Sequence, residues 1–232
     1  ERPPICATYR GYNVCGMGPP SSGALSINII LGILENFDLR SLGPYSPVAW
    51  RLIGDASRLA FADRARYMAD SDFVFVPVKE LLNKKYLAER GTLLEIDKAL
   101  IDVRPGIPSD NLANIYADDE SIELPSTSHI SIIDSYGNAL AMTTTIENAF
   151  GSRLMTPGGF LLNNELTDFS FRTEKNGLPI ANRVEPGKRP RSSMSPTIVL
   201  KDNKPILVIG STGGSAIIGF VVQSIIAYID SV

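Results

Sequence analysis

The sequence is poor in the residues that build metal centres and disulfide frameworks. It has two cysteines, Cys6 and Cys15, and a single histidine, His129, among 232 residues. Two cysteines are too few for a disulfide framework, and the residues around them do not supply a metal-ligand pattern. We expect two buried thiols, with a single bridge as the alternative, and we expect no metal.

Long apolar runs and clusters of basic residues are scarce as well. The longest apolar run, residues 216–229, is interrupted by Gln223 and Ser224 and is shorter than the ~20 residues that a membrane span needs. It predicts a core helix instead. The formal net charge is −3, and the short basic run at residues 188–191 is too small for a nucleic-acid footprint. The expected partners are therefore small molecules or proteins, with no nucleic acid and no membrane span.

Helical spacing of apolar residues organises the first half of the chain. It predicts helices over residues 24–36, 47–69, 77–90 and 93–100, after a short strand over residues 11–17. Ser21 or Ser22 would cap the first helix, and Pro47 would be the first residue of the second. Residues 104–125 have loop composition, and we expect their acidic triplet, residues 118–120, to be solvated rather than a metal site.

Short alternating runs take over in the second half. They predict strands over residues 128–134, 138–145, 160–162, 195–200 and 205–209, followed by a helix over residues 214–229. Residues 135–137 fit a three-residue hairpin turn in which Asp134 faces Asn138. Continued in that register, Thr127 lies opposite Thr145, within the ~4.5–5.5 Å Cβ spacing of cross-strand neighbours. Helices, then a sheet, then a helix indicate an α+β fold with helices layered on sheet.

Thr127 follows a run of hydroxyl residues at the start of the first of these strands. A threonine hydroxyl is a weak nucleophile, but the residue's own α-amine can act as its base when the threonine begins a chain. That role requires a cut between Ser126 and Thr127, after which an amine with a reference pKa of about 7.7–8.0 is partly neutral at physiological pH. The alternative is an ordinary strand threonine, and only the accompanying motifs overturn it.

Those motifs, taken in order along the chain, resemble the γ-glutamyltransferase (γ-glutamyltranspeptidase) family of N-terminal-nucleophile hydrolases. They are Tyr9-Arg10-Gly11-Tyr12, Pro19-Pro20-Ser21-Ser22-Gly23, Thr127-Ser128-His129, the LLNNELTDFS segment at 161–170, the RPRSSMSPT segment at 189–197 and Gly213-Gly214-Ser215. The resemblance covers nearly the whole chain. It implies part of an αββα sandwich, in a chain that is a central fragment of a longer enzyme precursor.

The resemblance assigns catalytic roles by position. Thr127 would first cut its own chain at the Ser126 carbonyl and then attack a γ-glutamyl amide to form an acyl-enzyme ester. Thr145 would hydrogen-bond the nucleophile hydroxyl. The backbone N–H groups of Gly213 and Gly214 would hold the tetrahedral oxyanion, a task that needs bare backbone.

The resemblance also assigns residues that bind the head group of the substrate. Glu165 and Asp168 would hold its α-ammonium, and the hydroxyls of Ser192 and Ser193 would hold its α-carboxylate. Glu147 stands where many members of the family have asparagine, and its carboxylate would attract the ammonium more strongly. The expected partners are a γ-glutamyl donor and an acceptor, which is water, an amino acid or a peptide.

The resemblance further implies two subunits cut from one precursor, together forming one domain. Residues 1–126 would be the C-terminal part of the large subunit, and residues 127–232 the N-terminal part of the small one. No cofactor is expected, because residues 210–215 resemble a phosphate loop but no lysine follows the glycines. The family implies a periplasmic or secreted location, with the cytoplasm as the alternative.

Two other activities stay open at this point. Residues 169–191 contain no tyrosine, whereas transpeptidases of the family often carry a lid tyrosine there, and that absence resembles acylases that act on glutaryl-type β-lactam side chains. A catalytically silent, uncleaved member that only binds ligand is the other alternative. His129 shares a strand face with Thr127, and we interpret it as a structural residue, since the proposed chemistry needs no Ser-His-Asp triad.

Overall fold

Helices dominate the first half of the chain and strands the second in the computed structural model, which describes residues 2–121 and 126–230. The strands are β1 Pro4–Tyr9, β2 Tyr12–Met17, β3 Ser128–Ile133, β4 Ala139–Thr144, β5 Glu174–Lys175, β6 Leu178–Pro179, β7 Thr197–Lys201 and β8 Lys204–Ile209. The helices are α1 Gly23–Leu34, α2 Leu39–Leu42, α3 Pro47–Tyr67, α4 Val78–Leu81, α5 Lys84–Gly91 and α6 Ala216–Asp230. The chain is thus α+β, as predicted.

A four-stranded antiparallel sheet joins the two halves of the chain. Its strand order is β1-β2-β7-β8, so β2 from the first half pairs with β7 from the second. β1 was not predicted, and the motif at residues 9–12 is the turn that connects it to β2. Arg10 and Gly11 have φ angles of 50° and 78°, the left-handed values that a two-residue hairpin turn requires.

Cys6 and Cys15 form a disulfide, so the prediction of two buried thiols was wrong. The two residues face each other in the register of β1 and β2. Cys6 is exposed and Cys15 is half-buried. The error follows from the missed first strand, because only the hairpin brings the two side chains together.

Helix α1 lies at the centre of the core. Every residue of α1 except Gly32 is buried, and the helix contacts α3, α5, α6, β1 and β2. A helix that is apolar on all sides is buried on all sides. Helical spacing of apolar residues identified this helix, and its burial extends to every side.

The other helices of the first half agree with prediction in part. The start of α3 is confirmed: the Ser46 hydroxyl accepts from the Ala49 N–H at 3.3 Å. The helix predicted over residues 77–90 is instead divided into α4 and α5, because Asn83 caps α5 by accepting from the Lys85 N–H at 2.9 Å.

The helix predicted over residues 93–100 is wrong, since these residues form turns and bends. Their carbonyl groups accept from arginines of α3 rather than from helical N–H groups. Arg51 donates to the Ile96 carbonyl at 2.5 Å, and Arg58 donates to the Leu100 carbonyl at 2.6 Å.

The hairpin of β3 and β4 has the predicted register. Ser128 pairs with Thr144 and Ile133 with Ala139, and the Asp134 N–H donates to the Asn138 carbonyl at 3.0 Å. Both strands contact β8. The strand predicted over residues 160–162 is wrong, because Leu161 makes only an isolated bridge to Met155.

The last helix is confirmed as a core element. Its apolar residues Ile217, Ile218, Val221, Val222 and Ile225 are buried. Across residues 2–121 and 126–230, no helix combines the length and the apolar character that crossing a bilayer requires.

Candidate active site

A narrow pocket lies where the start of β3, the end of β4 and the N-terminus of α6 meet. Its lining comprises Ser126, Thr127, Thr145, Glu147, Glu165, Asp168, Ser192, Ser193, Met194, Gly214 and Ile217. All the candidate site residues named from the sequence are in this lining except Gly213, which precedes Gly214 in the chain. Residues far apart in sequence thus share one cavity, although their individual roles stay predictions.

A short hydrogen-bond chain ends at the peptide bond before Thr127. The Thr145 hydroxyl donates to the Ser126 carbonyl at 2.6 Å. The same hydroxyl accepts from the Glu147 N–H at 2.9 Å. Because a hydroxyl carries one proton, the Glu147 N–H helps to direct that proton toward Ser126. The carbonyl that a Thr127 nucleophile would attack is therefore polarised in the uncleaved chain.

Glu147 is held in an unusual conformation on the pocket wall. Its φ angle is 70°, and its side chain is buried, with 3% of the residue exposed. The Asn164 amide donates to its Oε2. Its Oε1 is buried without a hydrogen-bond partner among the described residues. A buried carboxylate oxygen in this state is costly unless a ligand supplies a donor.

Glu165 and Asp168 bring two more carboxyl groups to the same pocket, from the 3-10 turn over residues 165–168. Glu165 Oε1 is also buried with no partner in the described part of the chain. Burial raises the pKa of Glu165 above its ordinary value, contact with Asp168 opposes the rise, and the nearby Glu147 charge adds to it. The pocket therefore has a negative wall that favours a cationic ligand group.

Within residues 2–121 and 126–230, no group of three or more His, Cys, Asp or Glu side chains is arranged to hold a metal ion. An organic cation such as an ammonium group fits the two carboxylate oxygens that lack donors, since it brings up to three N–H groups.

The same pocket lining includes Ser192 and Ser193, here called the serine wall, and the serine turn before α1 holds this segment in place. The Ser192 N–H donates to the Pro20 carbonyl at 3.1 Å, and the Ser22 N–H donates to the Ser192 carbonyl at 2.8 Å. The Ser21 hydroxyl donates to the Met194 carbonyl at 2.6 Å. Ser22 occupies the predicted cap position of α1, but its side chain makes no capping bond. Both serines instead support the pocket segment.

Arg64, which was not predicted from the sequence, lies behind this serine wall. Its Nε donates to the Ser22 hydroxyl at 2.8 Å, and its Nη2 donates to the Ser193 hydroxyl at 2.6 Å. Arg64 is buried. It stands four residues after Ala60, which is buried on the inward face of α3, and a charged residue on a face that packs inward is the signal that could have found it.

The acidic triplet at residues 118–120 is solvated only in part: Glu120 is exposed as predicted and Asp118 is half-buried, but Asp119 is not solvated. Asp119 is buried and pairs with Arg191 at 3.1 Å. Burial alone would raise the pKa of Asp119, but the Arg191 guanidinium, together with hydrogen bonds from Ser121 and Asn182, outweighs it and holds the pKa below its usual value. The error arose because the buried cation lies far away in sequence.

Gly213 and Gly214 precede α6 with φ angles of 124° and 57°. Both values lie in the region that favours glycine. A Cβ on Gly213 would approach the Phe220 ring at 3.1 Å. Gly214 lines the pocket at the N-terminal end of α6, where a helix favours negative charge.

His129 is occupied within the hairpin. Its Nδ1 lies 2.8 Å from the Thr143 hydroxyl, and its Nε2 lies 2.9 Å from the Ser131 hydroxyl. Partial burial lowers its pKa. A Cβ on Gly210 would come within 2.2 Å of the ring. These contacts agree with the structural role expected for this histidine.

Comparison with known proteins places these features in a family. The family model for gamma-glutamyltranspeptidase matches residues 1–231. A glutathione hydrolase proenzyme of Escherichia coli K12 is 44% identical, over 99% of this chain and 39% of that protein. A glutathione hydrolase proenzyme of Bacillus subtilis strain 168 is 40% identical, over 98% of this chain and 39% of that protein.

A solved structure shares the fold. The crystal structure of cephalosporin acylase from Bacillus halodurans matches with a TM-score of 0.81 and 25% identity, over 99% of this chain and 38% of that one. The chain therefore spans about two fifths of the length of the relatives that it matches.

Proposed function

This chain belongs to the γ-glutamyltranspeptidase family, and we propose that it carries the nucleophile of a self-cleaving threonine enzyme that hydrolyses or transfers γ-glutamyl groups. Glutathione and γ-glutamyl amides are the donors, and water, an amino acid or a peptide is the acceptor. The observation that carries this proposal is the pocket, where Thr127 shares a lining with Thr145, the carboxylate wall and the serine wall.

Self-cleavage comes first in the proposed mechanism. The Thr127 hydroxyl oxygen attacks the Ser126 carbonyl carbon, and the Thr145 hydroxyl stabilises the oxyanion that develops on the Ser126 oxygen. The C–N bond breaks, the proton of the attacking hydroxyl ends on the departing Thr127 nitrogen, and an ester links Ser126 to the Thr127 oxygen. Water hydrolyses this ester, which leaves a carboxylate on Ser126 and an amine on Thr127.

The cut would leave two pieces with a shared sheet. Residues 1–126 become the C-terminal part of the large subunit, and residues 127–232 the N-terminal part of the small one. Pairing of β2 with β7 supports continued association, because backbone hydrogen bonds of one sheet then cross between the pieces. The two pieces act together as one domain in this proposal.

Turnover uses the groups that cleavage creates. The free Thr127 amine serves as the base for its own hydroxyl, which attacks the γ-carbonyl of the donor. The N–H groups of Gly213 and Gly214 hold the oxyanion, and the amine proton passes to the leaving nitrogen. Water or an amine acceptor then attacks the acyl ester, and Thr127 is regenerated.

In this proposal, the pocket binds both charged groups of the donor's amino acid head group. Glu147, Glu165 and Asp168 hold the α-ammonium, and the unpartnered oxygens of Glu147 and Glu165 support this assignment. Ser192 and Ser193 donate to the α-carboxylate. Hydrogen bonds to charged groups contribute about 1.5–3 kcal/mol each, so the two walls together give strong selectivity for a zwitterionic donor.

The finer fold assignment is also part of this proposal. We place the chain within an αββα sandwich, in which α1 covers the sheet of β1, β2, β7 and β8, and α3 and α6 pack against α1. The packing of α1 against β1, β2, α3 and α6 supports this arrangement.

A glutaryl or cephalosporin-type acylase is the second candidate. The fold similarity to a cephalosporin acylase favours it, as does the absence of tyrosine from residues 169–191. A glutaryl group has the carboxylate but lacks the amine, so it would leave the negative wall without a cation. The ratio of kcat/KM for γ-glutamyl and glutaryl anilides in the complete protein separates the two activities, and a ratio well above one is expected.

A silent binder is tested in the same experiment. Turnover of γ-glutamyl anilide is followed beside calorimetry with L-glutamate. The proposed enzyme shows product and binding heat, whereas a silent member shows heat alone.

A further inference from the structure

A buried arginine stands directly behind the serine wall of the pocket. We propose that Arg64 is a positioning residue that tunes this wall for the donor carboxylate, acting through Ser193 and Ser22. The inference rests on the proposed function and deepens it. Arg64 is 5% exposed and reaches the wall from α3, the longest helix.

The contact with Ser193 sets the direction of a hydroxyl. Arg64 Nη2 lies 2.6 Å from the Ser193 oxygen, and a guanidinium can only donate. Ser193 therefore accepts this bond and directs its own proton away from Arg64. A hydroxyl that is polarised by a cation and directed in this way is a stronger donor to an anion.

Through Ser22, Arg64 also helps to position Ser192. Arg64 Nε donates to the Ser22 oxygen at 2.8 Å, and the Ser22 hydroxyl donates to the Ser192 carbonyl at 2.7 Å. The backbone of Arg64 adds a further tie, because its carbonyl accepts from Arg191 Nη1 at 3.4 Å. One guanidinium thus supports both serines of the wall.

Charge gives the arrangement its selectivity. The carboxylates of Glu147, Glu165 and Asp168 line the same pocket as Ser192 and Ser193. A cation bonded to Ser193 and carboxylates in the same lining match the two charges of an amino acid head group. Arg64 bonds the Ser193 hydroxyl rather than the ligand itself. It therefore supplies positive charge to the pocket without forming a direct ion pair with the donor carboxylate.

Three donors that differ by one group test this role. The γ-glutamyl anilide has both charged groups, the glutaryl anilide has only the carboxylate, and the 4-aminobutyryl anilide has only the ammonium. In the complete protein, Arg64→Gln should lower kcat/KM by roughly 10- to 100-fold for the first two donors, the effect of losing one charge-assisted hydrogen bond. For the third donor, kcat/KM should change by less than about 2-fold.

Two further variants sharpen the reading. Arg64→Lys should lower kcat/KM by an intermediate amount, because an ammonium keeps the charge but cannot donate to both Ser22 and Ser193 in fork geometry. Arg58→Gln on the same helix is the matched control, since Arg58 is half-exposed and bonds the Leu100 carbonyl away from the pocket. If an anilide is not turned over, its inhibition constant is measured instead of kcat/KM, with hydrolysis of the γ-glutamyl anilide as the inhibited reaction.

The outcomes are distinct. Equal losses of kcat/KM for all three anilides in Arg64→Gln would assign Arg64 a general structural role and overturn the inference. Unchanged kcat/KM for all three would also overturn it. If wild-type protein turns over no anilide, the proposed function fails, but calorimetry still tests Arg64. Wild type should then bind L-glutamate roughly 10- to 100-fold more tightly than Arg64→Gln does, and equal or absent binding would contradict the role.

Discussion

The Thr145 hydroxyl donates a 2.6 Å hydrogen bond to the carbonyl of Ser126, the residue immediately before Thr127. The N–H of Glu147 donates to the same hydroxyl at 2.9 Å. Thr145 therefore acts on the carbonyl at the proposed cleavage point before any cut is made. After the proposed cut, the same hydroxyl would hydrogen-bond the Thr127 oxygen, so one residue would serve both steps in turn.

Substitution of Thr145 tests the first of these steps. Thr145→Val keeps the shape but removes the hydroxyl, and we expect self-cleavage to slow by about 100-fold or more, the usual effect of losing one oxyanion donor. Thr145→Ser keeps the hydroxyl and should cleave within a few-fold of wild type. Cleavage is followed by denaturing gel electrophoresis against time, and cleavage of Thr145→Val at the wild-type rate would exclude the donor role.

Substitution of Glu147 tests the recognition of the substrate ammonium. Glu147→Gln removes the charge and keeps the size, so kcat/KM for the γ-glutamyl anilide should fall by roughly 10-fold or more relative to the glutaryl anilide, which has no amine. Glu174→Gln is the control, because Glu174 is exposed on β5. An unchanged ratio of the two anilides in Glu147→Gln would rule this role out.

The raised pKa of Glu165 predicts a pH-dependent cost in the free protein. Because burial raises the folded-state pKa above the ordinary value of 4.5, ionisation of Glu165 lowers stability as the pH rises from 4.5 through the folded pKa. Glu165→Gln should therefore raise the melting temperature at neutral pH, and this advantage should disappear below pH 4.5. γ-Glutamyl turnover should fall in the same variant.

Melting curves of wild type and Glu165→Gln over a pH series make this comparison. The difference in melting temperature should grow with pH and then level off above the folded pKa. A difference that does not depend on pH would show that charge burial at Glu165 is not its cause.

The buried pair of Asp119 and Arg191 predicts a large stability effect. Asp119→Asn removes the carboxylate charge that pairs with Arg191, and removal of one member of a buried pair costs about 3–5 kcal/mol. Since the folded-state pKa of Asp119 is lowered, this stabilisation is present above the ordinary value of 3.8 and is lost as the pH falls through the folded pKa.

Urea unfolding at neutral pH measures the loss. Asp102→Asn is the control, because Asp102 pairs with Arg104 in an exposed ion pair that should contribute less than about 1 kcal/mol. Similar free energies of unfolding for the two variants would contradict the assignment of Asp119 to a buried pair.

The sequence was sufficient for features with local or periodic causes. The register of β3 and β4 follows from a short turn and strict alternation, and Thr127 and Thr145 at the open end of this hairpin line the same pocket. The start of α3 follows from a serine cap and Pro47. The candidate site residues came from the resemblance of the motifs, and the fold brings all of them except Gly213 into one pocket lining.

The features that sequence reasoning missed depend on partners far away in the chain. The bridge between Cys6 and Cys15 depends on a strand that was not predicted. Asp119 is buried because Arg191 lies opposite, and Arg64 matters because two serine segments meet beside it. Pairings of this kind leave no periodic trace, so only the three-dimensional arrangement reveals them.

Intact mass spectrometry of the complete protein, with N-terminal sequencing of any smaller piece, tests the central claim most directly. We predict that the wild-type protein separates into two pieces on incubation, that the second begins at Thr127, and that Thr127→Ala stays a single chain without γ-glutamyl hydrolysis. A wild-type protein that stays uncut yet hydrolyses a γ-glutamyl anilide would contradict it.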